Sequence, residues 1–120
     1  MAKKTVIIGA SDNPERTSYD ATNRLKKQGH PVVAIGIKEG MIGDEKILTG
    51  FPAVENVDTV TLYVGPKNQP HWYEYILSLK PRRIVFNPGT ENPEFEKMAE
   101  QKGIETIEAC TLVMLSVGNY

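Results

Sequence analysis

The sequence is poor in the residues that cross-link chains, hold metals or enter membranes. One cysteine, Cys110, among 120 residues has no partner for an intrachain disulfide. With no secretory leader legible, a reducing, cytoplasmic setting is expected. Two histidines, His30 and His71, make no zinc set with that single thiol, so no metal is expected. No apolar run approaches the roughly 18 residues of a membrane span, and the tail CTLVMLSVGNY is too short. Neither sign of charge is in excess: 14 Lys and Arg against 15 Asp and Glu give a net charge of −1. Such a chain has no global field to gather nucleic acid, so any anion it binds must meet a local site. The Pro-Arg-Arg run at 81–83 is too brief for a nucleic-acid patch and reads as the start of a strand. Repeats, linkers and low-complexity stretches are also missing, and the length suits a single domain over 1–120.

What is present is an alternation of strands and helices. TVIIG (5–9) is β-branched without a polar alternation, which predicts a strand buried on both faces. A helix is expected from about Thr17 to Gln28, stopped at Gly29, with Thr17 and Asp20 placed like a capping box. PVVAIGI (31–37) reads as a second buried strand. The stretch 38–52, with Gly40, Gly43 and Gly50, reads as an excursion holding a short hairpin of MI against KIL. VDTVTLYV (57–64) is a third strand, and Pro66 to Leu79 a helix with Trp72, Tyr75, Ile76 and Leu79 at helical spacing. RRIVFN (82–87) is a fourth strand, followed by a helix with Asn92 as cap, Pro93 in its first turn and Gly103 as stop. IETIE (104–108) is a fifth strand, and the tail forms a last short helix. Five strands joined by helices require a parallel α/β sheet, a three-layer Rossmann-like doubly wound fold. The expected order is 3-2-1-4-5, with the ligand crevice between strands 1 and 4.

The first loop, GASDNPERTS, follows strand 1 where a dinucleotide-binding fold carries G-x-G-x-x-G. Gly9 is kept; Ser11 and Pro14 stand at the other two positions. Ala10 and Ser11 are small enough for a ligand to approach the backbone. Arg16 and Ser18 lie at the helix start, where free N–H groups and the helix dipole favour an anion. An arginine there adds a charge-assisted bond. Strand 2 ends in Gly36, Ile37 and Lys38, where an NAD-binding chain carries a ribose-binding carboxylate. A cation at that position suits a nucleotide with an extra phosphate on the ribose: NADP at the 2′ oxygen or coenzyme A at the 3′ oxygen.

GASDNPERTSY, AIGIKEG and FNPGTENPEFEKMAEQKGIETIEACTLVML together resemble the small stand-alone CoA-binding domain proteins of bacteria, over Lys4 to Tyr120. These in turn are similar to the N-terminal CoA-binding domain of the succinyl-CoA synthetase alpha subunit. The resemblance implies a Rossmann-like fold holding CoA across the carboxyl ends of its strands. It implies a phosphate-side loop of Gly9, Ala10, Ser11, Arg16 and Ser18, and a basic position after strand 2 at Lys38. It also implies a nucleotide-flanking turn from Val64 through Gly65 and Pro66 to Lys67. The synthetase's phosphorylated histidine belongs to a second domain that has no counterpart in this sequence. Many relatives carry Asp-Arg-Cys where this chain has Glu108, Ala109 and Cys110.

Asn87, Pro88 and Gly89 end strand 4 beside the expected crevice, a turn whose backbone can face a ligand. Glu91 is a general base only in name, since no partner accompanies it. Cys110 follows strand 5 and reads first as a small buried hydrophobe, second as a thiol near the CoA thiol. Tyr63, Trp72, Tyr73 and Tyr75 read as core or helix-face aromatics, with Tyr63 within reach of an adenine edge. The resulting expectation is a CoA- or acyl-CoA-binding protein that is not an enzyme: a carrier, sensor or regulatory module for a small nucleotide ligand. The alternative is an NADP-dependent reductase or a thiol- or acyl-exchange enzyme using Cys110. A homodimer through LVMLSVG, or a larger acyl-CoA enzyme as partner, completes the expectations.

Overall fold

The computed structural model describes residues 2–120. Its elements are β1 Thr5–Ile8, α1 Thr17–Lys27, β2 Val32–Ile35, β3 Gly40–Ile42, β4 Glu45–Leu48, β5 Thr59–Leu62, α2 Tyr73–Ser78, β6 Arg83–Phe86, α3 Pro93–Gln101, β7 Glu105–Glu108 and α4 Thr111–Val117. Two short 3-10 turns, Pro66–Asn68 and Pro70–Trp72, precede α2. All seven strands form one sheet in the order β3-β4-β2-β1-β5-β6-β7, parallel except for the β3–β4 pair.

This corrects the expected five strands and their order. The hairpin of Met41 against Lys46 forms as expected, but β4 continues into the sheet, pairing Ala34 with Ile47 and Ile35 with Leu48. The outer edge of β2 is thereby occupied. The next strand, β5, pairs instead with the other side of β1, Thr5 to Thr59 through Ile8 to Leu62. The five strands read from the sequence therefore run 2-1-3-4-5, and the order reverses between strands 1 and 3, not 1 and 4.

Helices cover both faces because successive strand residues point to opposite sides. From β1, Val6 and Ile8 join Leu62, Ile84, Phe86, Trp72, Ile76 and Phe95 on the face of α2 and α3. Ile7 joins Ala34, Ile47, Val85, Leu25, Met114 and Leu115 on the face of α1 and α4. All four residues of β1 are fully buried, as a strand in the middle of such a sheet requires.

Two helix readings are also corrected. The predicted helix over 66–79 is broken: Pro70 has no N–H to donate and its ring opposes a continuous helix, so only Tyr73–Ser78 is α-helical. At α1 the cap residue is Arg16, with no side-chain cap hydrogen bond, and Thr17 is already helical, so the Thr17–Asp20 box is not made. The cap of α3 is realised: the Asn92 side chain accepts from the Phe95 N–H at 3.1 Å and Pro93 holds the first turn. Among the described residues no helix is long and apolar enough to cross a membrane.

Candidate functional site

A crevice of about 1250 Å³ opens along the carboxyl ends of β2, β1, β5 and β6. That exceeds the roughly 300–1,000 Å³ usual for small-ligand pockets and suits a long molecule. Its walls come from the loop into α1, the Ile37–Lys38 turn after β2, the 63–72 segment after β5 and Pro88–Thr90 after β6.

The first loop divides into a part bound to the sheet and a part turned to the crevice. Gly9 has a φ of 96°, and a Cβ there would lie 2.9 Å from the backbone of Tyr63; only glycine fits between β1 and β5. The N–H groups of Gly9 and Ala10 both donate to the Ile35 carbonyl at 2.9 Å, so β2 engages the amides of both residues. The loop beyond is folded on itself. Ser11 Oγ accepts from the Asn13 N–H at 3.1 Å, and Asn13 Oδ1 accepts from the Glu15 N–H at 3.0 Å. These contacts end the loop at Arg16, whose missing side-chain cap leaves the first N–H groups of α1 available to an anion. Ser18 lines the crevice but is buried, and its carbonyl accepts from Thr22 Oγ1.

Three cations line this crevice: Arg16, Lys38 and Lys67, all exposed. Among the described residues the ion pairs are those of Lys26 with Asp44 and Glu45, which tie the β3–β4 hairpin to α1. The crevice cations are therefore free to meet a ligand's charge. Asp12 and Glu15 also line the site, so the balance is positive by a single unit and local in reach.

Of the residues expected from the sequence, Gly9, Ala10, Ser11, Arg16, Ser18, Lys38, Val64, Gly65, Pro88 and Gly89 are brought together on the crevice. Gly36, Pro66 and Asn87 are not on its surface. Gly36 lies where β2 passes the first loop, and a Cβ there would come within 2.5 Å of the Ala10 carbonyl. Pro66 opens the first 3-10 turn. Asn87 is buried: its amide donates to Thr61 Oγ1 at 2.6 Å and to the Leu62 carbonyl at 2.8 Å, while its Oδ1 accepts from the Thr111 N–H at 2.8 Å. It locks β5, β6 and the start of α4 together beneath the ligand-facing loops. Cys110, half-buried at the cap of α4, is not among the lining residues. Glu91 accepts from the Gly89 N–H at 2.9 Å, a contact within its own turn. Tyr63 lines the crevice, but its hydroxyl is buried without a partner, and burial pushes that hydroxyl far above the usual tyrosine range.

The sequence reading missed Gln69. It is fully buried, with its amide donating to the carbonyls of Val64 (2.8 Å) and Thr90 (2.7 Å). Its Oε1 accepts from Asn92 Nδ2 at 2.9 Å. One side chain thus fixes the two loops that carry Gly65 and Gly89, where an added Cβ would meet nothing within 4 Å. The space beside both glycines is open to whatever occupies the crevice. The only sequence signal was a glutamine one residue before Pro70. His71 and Trp72 also line the crevice; His71 had been weighed only as a metal ligand, and Trp72 read as a core or helix-face aromatic.

The residues present fit an elongated nucleotide bearing several phosphates: unpaired cations, an uncapped helix start and two open glycine backbones share one long groove. Comparison with known proteins agrees. The model of the CoA binding domain family matches residues 3–116. A crystal structure described as that of an uncharacterized protein is 49% identical, covering 100% of this chain and 99% of its own, with a TM-score of 0.98. A hypothetical protein from Pyrococcus horikoshii OT3 is 23% identical, covering 97% of this chain and 83% of its own, with a TM-score of 0.87. A protein from Thermus thermophilus is also 23% identical, covering 99% and 91%, with a TM-score of 0.86. The last two likenesses speak for the fold alone. No curated protein matches the chain. The chain belongs to the CoA-binding domain family.

Proposed function

We propose that this member of the CoA-binding domain family is a CoA- or acyl-CoA-binding module, a carrier, sensor or regulator that catalyses no reaction itself. The observation that carries the reading is the line of unpaired cations, Lys38, Arg16 and Lys67, along one crevice. Lys38, after β2, meets the 3′-phosphate of the ribose. Arg16 and the uncapped start of α1 meet the pyrophosphate, a charge-assisted contact reinforced by the helix dipole. The pantetheine then runs along the open backbones of Gly65 and Gly89, with Val64 and Pro88 as apolar walls. By this reading Gly9, Ala10, Gly36, Pro66 and Asn87 shape the site without touching the ligand.

Support for a non-catalytic role comes from the same walls. The crevice hydroxyl of Thr90 donates to the Asn87 carbonyl, and Ser11 Oγ accepts from a backbone N–H. Neither meets a base, as an activated nucleophile must. Cys110 stands off the crevice, which weighs against exchange with the CoA thiol. The exposed Val113 and Val117 of α4 are the surface on which a homodimer or a larger acyl-CoA enzyme would rest.

Parallel calorimetric titrations with CoA, acetyl-CoA and NADPH test the reading. CoA and acetyl-CoA saturate the protein below ~1 mM with one site per chain. A clear preference for NADPH would replace CoA by NADP and reopen a reductase role; no binding of any of them would remove the function altogether.

A further inference from the structure

One group of side chains on the crevice wall takes no part in holding the phosphates or the pantetheine. His71 and Trp72 line the crevice, and Phe51 stands against both, its ring centroid 5.2 Å from His71 and 5.4 Å from Trp72. Tyr75 backs Phe51 at 5.1 Å and is tied by its hydroxyl to the Pro52 carbonyl at 2.7 Å. Trp72 is anchored in the core, yet Phe51 remains 51% exposed and His71 is exposed. Single exposed apolar residues need no explanation, but contiguous aromatic surface beside a cleft marks a binding surface.

Its position narrows the ligand. Phe51 follows β4, which runs parallel beside β2, and Lys38 follows β2. Phe51 and the cation therefore follow neighbouring strands at the same edge of the sheet, and His71 and Trp72 reach Phe51 from the segment after β5. A planar ring that carries a phosphate close by would meet both. Aromatic platforms accept flat bases by stacking, and every base has a face to offer.

We infer that Phe51, His71 and Trp72 form the seat of the adenine base, with His71 as the stacking surface and Phe51 and Trp72 holding it in place. The inference rests on the CoA reading and names the residues of its adenosine end. The rest of the crevice, from Arg16 to Thr90, then takes the pyrophosphate and pantetheine. Specificity divides accordingly: the aromatic group selects an adenine nucleotide, and Lys38 selects the extra phosphate.

The test splits CoA into two halves. Wild type, His71→Ala and Phe51→Ala are titrated with CoA, with adenosine 3′,5′-bisphosphate and with 4′-phosphopantetheine. Both variants are expected to bind CoA and the bisphosphate about tenfold more weakly, while affinity for 4′-phosphopantetheine stays within about twofold of wild type. Phe51→Leu, which keeps apolar bulk, provides a folded control if Phe51→Ala unfolds, and it is expected to fall between the two. Unchanged CoA affinity in His71→Ala, or an equal loss for both halves, would overturn the inference while leaving CoA binding intact. Wild-type protein that binds neither CoA nor its halves would instead remove the underlying function.

Discussion

At the carboxyl ends of β1, β2 and β5, Arg16, Lys38 and Lys67 stand exposed and without ion pairs. At the amino ends the side chains close on one another. There Tyr120 shares a 2.6 Å hydrogen bond with Thr5, and the Arg83 guanidinium lies 4.4 Å over its ring. Lys3 Nζ donates to the Tyr120 carbonyl at 2.7 Å. Lys3 N–H donates to His30 Nδ1 at 2.9 Å, and the His30 ring lies 5.1 Å from that of Tyr120. Arg83 Nε donates to Thr59 Oγ1 at 2.8 Å. The same strands thus end on one side in a closed cluster, in which Arg83 Nη2 alone of the named groups is buried without a hydrogen-bond partner, and on the other in exposed charge without ion pairs. The contrast teaches that stability and binding are separable here: one edge is built to hold the fold, the other to hold something else.

The largest expected break in this contrast is Tyr120→Ala. Removing a buried aromatic ring costs about 3 kcal/mol, read as a lowered denaturation midpoint in urea, while CoA affinity of the folded protein stays the same. A parallel collapse of CoA binding in folded protein would show that the two edges are coupled. The converse change is Arg16→Ala. It leaves stability within about 0.5 kcal/mol, as for most exposed positions, but weakens CoA about tenfold, which calorimetry reads directly. Loss of stability without loss of affinity would make Arg16 a helix-start residue only.

The smallest effect is a dependence on pH. His30 titrates below the ordinary histidine range, chiefly because burial disfavours its charged form, with Lys3 and Arg83 adding repulsion and Asp58 opposing them. The unfolded chain therefore takes up this proton more readily than the folded one. The contribution of neutral His30 is fully present above about pH 6.5 and is lost as pH falls from there toward the depressed folded value. Urea midpoints at pH 7.5 and 5.5 should differ more in wild type than in His30→Asn, whose carbonyl can accept from Lys3 without titrating. An equal difference in both proteins would place the dependence elsewhere.

The strands were legible because TVII, VVAI and RIVF are β-branched or aromatic runs bounded by glycine, proline or asparagine. Their order was not. It turned on Ile42 and Ile47, fully or almost fully buried within a stretch whose glycines and charges look like a surface loop. Trp72 and Ile76, placed on one helix face by their spacing, are buried, but that spacing implied one helix from Pro66 where Pro70 permits only turns before Tyr73. In the site, the loop after β1 and Lys38 could be read because small residues and a cation have local meanings. Gln69 and Asn87 could not. A polar side chain looks the same in sequence whether it faces water or three buried partners, and only the fold brings the carbonyls of Val64 and Thr90 and the side-chain amide of Asn92 around Gln69.

The central claim is that the open edge holds CoA, with Lys38 reading its 3′-phosphate. The most direct test is calorimetric titration of wild type and Lys38→Ala with CoA and with 3′-dephospho-CoA. Wild type is expected to prefer CoA by about tenfold, the scale of one charge-assisted contact. Lys38→Ala is expected to bind the two ligands equally and to be as stable as wild type. Equal binding of both ligands by wild type, or a preference that survives in Lys38→Ala, would contradict it.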